Sequence, residues 1–168
     1  WSWVINNDQD TLSYGSRAEV SNSAGEWGLT YHQDPSKSLQ RVVQDNIHNF
    51  GSHNRLAIDY RYDGFVGFWN ESALISSDRS EIIMATVGAD YTLPIASGIL
   101  VTVEHMSISN KIDSDEPSQS YAALMANMPL GMVHQIMFIS QFDLEESHSY
   151  NYLRWSSIYD YYSLNFIL

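Results

Sequence analysis

The chain has 168 residues and a formal net charge of −12, with 44% hydrophobic and only 17% charged residues, against a charged share of about 25% in ordinary globular proteins. Eight Lys/Arg face twenty Asp/Glu, too few cations to neutralise a phosphate backbone, so nucleic acid is excluded as a partner. Aromatic residues reach 13%, which argues against disorder. Cysteine is absent, so disulfides and thiolate metal sites are excluded. No run of about twenty apolar residues is present, which excludes a transmembrane helix.

In chain order the sequence predicts eleven strands: Trp1–Asn7, Thr11–Ser21, Glu26–Gln33, Asn54–Tyr62, Phe65–Ile75, Glu81–Leu93, Gly98–Ser109, Ser120–Met128, Met132–Asp143, His148–Tyr159 and Tyr161–Leu168. Each is read from alternation, because a pleated strand sends successive side chains to opposite faces. Glu81–Leu93 shows it best. Ile83, Ala85, Val87, Ala89, Tyr91 and Leu93 form one file, and Met84, Thr86, Gly88, Asp90 and Thr92 the other. Turn residues punctuate the strands: Asn22-Ser23-Ala24-Gly25, Asp63-Gly64, the stretch from Ile95 to Gly98, Pro129-Leu130-Gly131 and Tyr159-Asp160-Tyr161. Of these Asp63-Gly64 is the strongest signal, since Asp-Gly supplies the positive φ angles of a two-residue hairpin. Every second connection is more polar and often longer, with Asp34–His53 the longest. Within that loop Leu39, Val42, Val43, Ile47 and Phe50 have helical spacing, and Gly51 stands where a C-cap would. This predicts a short helix over Ser38–Phe50.

The two files of the strands differ in chemistry. Leu12, Tyr14, Ala18 and Val20 oppose Ser13, Gly15, Arg17 and Glu19; Leu56, Ile58, Tyr60 and Tyr62 oppose Arg55, Ala57, Asp59 and Arg61. Arg17, Glu19, Arg55, Asp59, Arg61, Asp90 and Glu104 therefore fall on the polar side and are the candidate lumen-facing residues. Oppositely charged members of this set are expected to pair across neighbouring strands. Aromatic residues cluster near strand ends, in the manner of interfacial girdles. An oily outside and a wet inside define the expected fold: all-β, an antiparallel up-and-down transmembrane β-barrel over residues 1–168, with one short helix in the longest loop.

Catalytic signals are weak beside this pattern. Six His without Cys or repeated ligand spacing give no transition-metal site. Asp113, Asp115 and Glu116 lack the glycine and distal glutamate of a calcium-binding hand. Asp143, Ser147 and His148 match a hydrolytic triad only by residue type. Asn70-Glu71-Ser72 matches a glycosylation triplet but falls inside a predicted strand. No catalytic residue, metal or cofactor is assigned, and an enzyme is not expected.

The hairpin from Thr86-Val87-Gly88-Ala89-Asp90-Tyr91-Thr92 through Val101–Glu104, with the terminal Tyr162-x-Leu164-x-Phe166-x-Leu168, resembles the strands and assembly signal of bacterial outer-membrane β-barrel proteins of the porin-like kind. That signal usually ends in Phe, whereas this chain ends in Leu168. The resemblance is architectural. It implies a location in the bacterial outer membrane, membrane lipid as partner, and a role as a porin-like channel or as a structural wall component of an envelope complex. Bacterial single-chain barrels normally have an even strand number, and eleven is odd. The expectation is therefore about 10–12 strands in this chain as part of a larger barrel, a C-terminal fragment joined by further barrel strands or other envelope proteins. The alternative is a soluble lipocalin-like barrel binding an apolar ligand, with the two faces inverted.

Overall fold

The computed structural model of the protein describes residues 1–7, 10–36, 39–43, 47–78, 80–112 and 118–168. These form thirteen strands: β1 (Ser2–Asn6), β2 (Leu12–Asn22), β3 (Gly25–Asp34), β4 (Leu39–Val43), β5 (Ile47–Phe50), β6 (His53–Asp63), β7 (Gly67–Ser77), β8 (Ser80–Leu93), β9 (Ile99–Ile112), β10 (Ser118–Leu130), β11 (His134–Asp143), β12 (Ser149–Ile158) and β13 (Ser163–Ile167). Eleven of them make one unclosed antiparallel sheet in the order β1-β2-β3-β6-β7-β8-β9-β10-β11-β12-β13. Within this sheet each strand lies beside the next of the eleven in chain order, with β4 and β5 inserted between β3 and β6, an up-and-down meander. The eleven predicted strands are these eleven, with ends shifted by a few residues.

The helix expected over Ser38–Phe50 is not there. Its described residues form β4 and β5, a two-stranded sheet of their own paired Leu39↔Phe50, Gln40↔Asn49, Arg41↔His48 and Val43↔Ile47, with an irregularity between Arg41 and Val43. The apolar spacing that reads as helical is also met by two short strands with one bulged residue. A helix of about a dozen residues is marginal without strong helix formers, and β-branched Val42, Val43 and Ile47 favour the extended chain. Gly51 keeps the left-handed backbone that a C-cap would need, φ 84°, but it follows a strand.

The turn chemistry is met in part. Gly25 closes the β2–β3 hairpin at φ 127°, and the Ala24 N–H donates to Asn22 Oδ1 at 2.8 Å, the side-chain turn that Asn favours. Gly98 and Gly131 also have positive φ in their turns. Asp63-Gly64 departs from expectation: neither residue has positive φ, and residues 64–66 bridge β6 and β7. Asp63 belongs to β6, so the connection is three residues long and the two-residue geometry with its positive angles is not used.

The chain divides into two compact units. The first comprises Trp1–Tyr62, Trp69–Thr86 and Ser107–Ser118; the second comprises Asp63–Phe68, Val87–Met106 and Gln119–Leu168. Among the described residues the buried apolar side chains are Ile75, Ile82 and Ile108, all in the first unit. Buried Asn110 follows on β9. Ile82 belongs to the same file of β8 as Met84, Thr86, Gly88 and Asp90, so the file read as polar begins with a fully buried isoleucine.

Backbone carbon chemical shifts of residues 39–43 and 47–50 are expected at strand values in the folded protein. A continuous helical shift pattern over residues 38–50 would restore the helix.

Candidate functional site

The candidate site is the charged face of β2, β3 and β6 in the first unit. Direct partners in an antiparallel pair project to the same side of the sheet, so the register decides which side chains meet. Across these strands the rows run Ser21–Glu26–Arg61, Glu19–Gly28–Asp59, Arg17–Thr30–Ala57 and Gly15–His32–Arg55. Five of the seven predicted residues, Arg17, Glu19, Arg55, Asp59 and Arg61, therefore share one face. The intervening rows place Val20, Trp27 and Tyr60 together, then Ala18, Leu29 and Ile58, then Ser16, Tyr31 and Leu56, on the other.

Arg17 organises the polar face. Its Nη1 and Nη2 donate to Asp59 Oδ1 and Oδ2 at 2.7 and 2.8 Å, a two-pronged pairing. Its Nε donates to Glu19 Oε1 at 2.7 Å and its Nη1 to Thr30 Oγ1 at 2.8 Å. Arg17 lies on β2 and Asp59 on β6, with β3 between them. The pair can cross β3 because Gly28 has no side chain: a Cβ there would run into Arg17 Nη2 and the Asp59 carboxylate. The fork of guanidinium donors matches the carboxylate in geometry. With Glu19 included, the cluster holds one cation and two carboxylates and is net acidic.

The same device recurs one row away. Trp3 of β1 and His32 of β3 flank Gly15 of β2 in register. The Trp3 indole Nε1–H donates to His32 Nδ1 at 2.9 Å, with the rings stacked 5.9 Å apart. A Cβ on Gly15 would strike the Trp3 ring and the Tyr31 carbonyl oxygen. In the second unit the Asp90 carboxylate occupies the equivalent space over Gly67. Glycines on the polar file thus create gaps that side chains from neighbouring strands fill.

The opposite face is apolar and open. Val20 is 60% exposed, Leu29 51% and Ile58 45%. At the turn end of this face Trp27 and Tyr60 pack with ring centroids 4.2 Å apart, and the Tyr60 hydroxyl donates to the Ala24 carbonyl at 2.7 Å. In the second unit, Leu124, Ala126, Ile136, Phe138, Leu153, Trp155, Leu164 and Phe166 share a face by register. There Trp155 stacks on Phe166 at 5.3 Å. The reverse side of those strands mixes Met125, Ile139 and Ile167 with Asn127, Gln135, Gln141 and Arg154. Arg154 Nε is buried without a hydrogen-bond partner among the described residues.

The remaining two predicted residues, Asp90 and Glu104, belong to the second unit. Asp90 is on β8 beside Gly67 and Glu104 is on β9, exposed. A shallow depression of about 260 Å³ is lined by Phe68, Val87, Gly88, Ala89, Val103, Glu104 and His105. The triad reading of Asp143, Ser147 and His148 finds no such geometry: Asp143 Oδ1 accepts from the backbone N–H groups of Glu145 and Glu146, and His148 stands 3.3 Å from Glu146. Asp113, Asp115 and Glu116 lie outside the described residues. Among the described residues no group of three potential metal ligands converges. Thr30, Gly28 and the Trp3–His32 pair were missed from the sequence; the available signal was a glycine standing on an otherwise polar file.

Compared with protein-family models, curated proteins and solved structures, the chain matches none.

The Arg17–Asp59 side chains are about a third exposed, so a double-mutant cycle with Arg17→Met and Asp59→Asn should give a coupling of about 1 kcal/mol, falling with added salt. In a Gly28→Ala background the coupling should approach zero, since the methyl displaces the paired groups. Gly15→Ala meets a ring and a backbone oxygen, which give way less readily, and should lower stability by about 1–3 kcal/mol. Denaturant unfolding of each variant measures both effects.

Proposed function

We propose that the protein is a wall-forming strand array of an outer-membrane β-barrel, acting as a porin-like channel or as a structural component of an envelope complex. One observation carries this reading: the register of β2, β3 and β6 gathers Arg17, Glu19, Arg55, Asp59 and Arg61 on one face and leaves Val20, Leu29, Ile58 and Tyr60 on the other. The apolar side chains are widely exposed. Contiguous exposed apolar surface marks a partner or a membrane. A charged lipid-facing side chain at the bilayer midplane costs roughly 2–4 kcal/mol, so this separation of charge from oil is what a membrane wall requires. The soluble alternative asks for the reverse, an apolar interior and a polar exterior.

The aromatic pairs fit the same reading. Trp27–Tyr60, Phe65–Tyr91 and Tyr159–Tyr162 each lie beside a turn, the position in which amphipathic rings meet a lipid–water boundary. The Arg17 cluster acts as a rigid internal brace in this role. The reading also makes a demand. Unpaired backbone groups cannot face hydrocarbon, so the free edges of β1 and β13 must each gain a partner when the sheet enters a bilayer.

Leu29 sits mid-strand between Ala18 and Ile58. Leu29→Arg should sharply reduce the yield of bilayer-inserted protein, while Thr30→Arg on the other face should be tolerated better. Equal insertion of both variants, or a folded protein that stays in solution without detergent, would rule out the membrane reading. Planar-bilayer conductance decides between channel and wall: folded, inserted protein without conductance leaves only the structural role.

A further inference from the structure

We propose that Trp3 and His32 form an acid-sensitive latch that holds the end strand β1 to the sheet. β1 has five residues and a single neighbour in the sheet, β2. A short end strand of this kind is weakly held. Among the described residues its side chains reach beyond β2 where the Trp3 indole passes over Gly15 and donates to His32 Nδ1 at 2.9 Å on β3. Nearby ties are the paired backbone bonds between Trp1 and Arg17 at 3.0 Å and the Asn7 to Asp34 hydrogen bond at 3.2 Å.

The sense of the Trp3–His32 bond makes it a switch. An indole nitrogen is a donor only. His32 Nδ1 must therefore carry no proton, which requires the neutral imidazole with its hydrogen on Nε2. Protonation places a hydrogen on Nδ1 and turns the acceptor into a donor facing another donor. The bond then cannot form in any ring orientation, because both nitrogens of imidazolium donate. His32 is only partly buried, so protons reach it.

The groups facing His32 define its setting. From β6, Arg55 is its direct partner in register, and His53 is opposite Asp34 one step along. From β2, Gly15 lies opposite and Arg17 one step away; from its own strand, Thr30 and Asp34 flank it on the same file. From β1, Trp3 is the facing residue. Partial burial and the Arg55 cation oppose a charge on His32, and Asp34 favours one. Loss of the bond frees β1 and leaves β2 as the edge, open to pairing with another strand.

The test is a titration of the folded protein from about pH 8 to about pH 4, following the Trp3 indole N–H resonance, assigned with Trp3→Phe, alongside the His32 ring resonances. The indole signal is expected to leave its hydrogen-bonded position with the same midpoint as His32. Amide protection in β1 should fall by about tenfold over that range after correction for intrinsic exchange. His32→Gln keeps an acceptor oxygen but cannot titrate, so its indole signal should stay fixed. An indole resonance that does not move while His32 titrates would overturn the latch, as would the same pH response in His32→Gln. The wild-type titration decides the matter even if the variant fails to fold.

Discussion

Pairing register is the constraint on which the rest depends. Side chains alternate with a period of two, so a slip of one residue between β2 and β3 would carry Arg17 and Glu19 to the side of Leu29 and Trp27. In the observed pairing Arg17 lies opposite Thr30, and Glu19 lies opposite Gly28, which also pairs with Asp59. Both faces gain from the same choice. The charged side chains obtain partners at 2.7–2.8 Å, and the apolar ones gather on the opposite face. Among the described residues few large side chains are fully buried, so hydrophobic burial among them contributes little to selecting the register. Chemical separation of the faces contributes most.

Glycine is the complement of that separation. A flat polar face of β2, β3 and β6 would keep Arg17 and Asp59 two strands apart. Gly28 removes the obstacle between them, and Gly15 does the same for Trp3 and His32. Interactions thus link strands that share no backbone hydrogen bonds. Such second-neighbour links stiffen a sheet against shear in a way that ladder bonds alone do not. The Arg17 cluster and the Trp3–His32 pair lie in adjacent rows, so the proposed brace and the proposed latch share one polar surface.

Much of this was legible in the sequence. Alternation with Tyr, Trp and β-branched residues marked all eleven strands of the sheet, and short-range turn residues marked their ends. The polar set Arg17, Glu19, Arg55, Asp59 and Arg61 could be placed on one side because parity along each strand is local information. Misreadings arose where one pattern serves two geometries. Leu39, Val42, Val43, Ile47 and Phe50 satisfy a helix and also a bulged hairpin, and pairing between β4 and β5 decided for the hairpin. Asp63-Gly64 has the composition of a two-residue turn, yet β6 extends through Asp63 and the turn moves downstream. Ile82 stands on a file read as polar, and its burial depends on what surrounds it rather than on its neighbours along the chain.

By itself the sequence determined strand content, the parity of each side chain and the sorting of charge from apolar surface, because these follow from a two-residue repeat and from residue chemistry. Only the tertiary structure decided which charges meet. Arg17 finds Asp59 at a separation of forty-two residues, and Trp3 finds His32 at twenty-nine. Those partnerships require a register between strands and a glycine placed in the strand between. Alternation along each strand fixes the parity of the register, and only the alignment of distant segments fixes which residues meet.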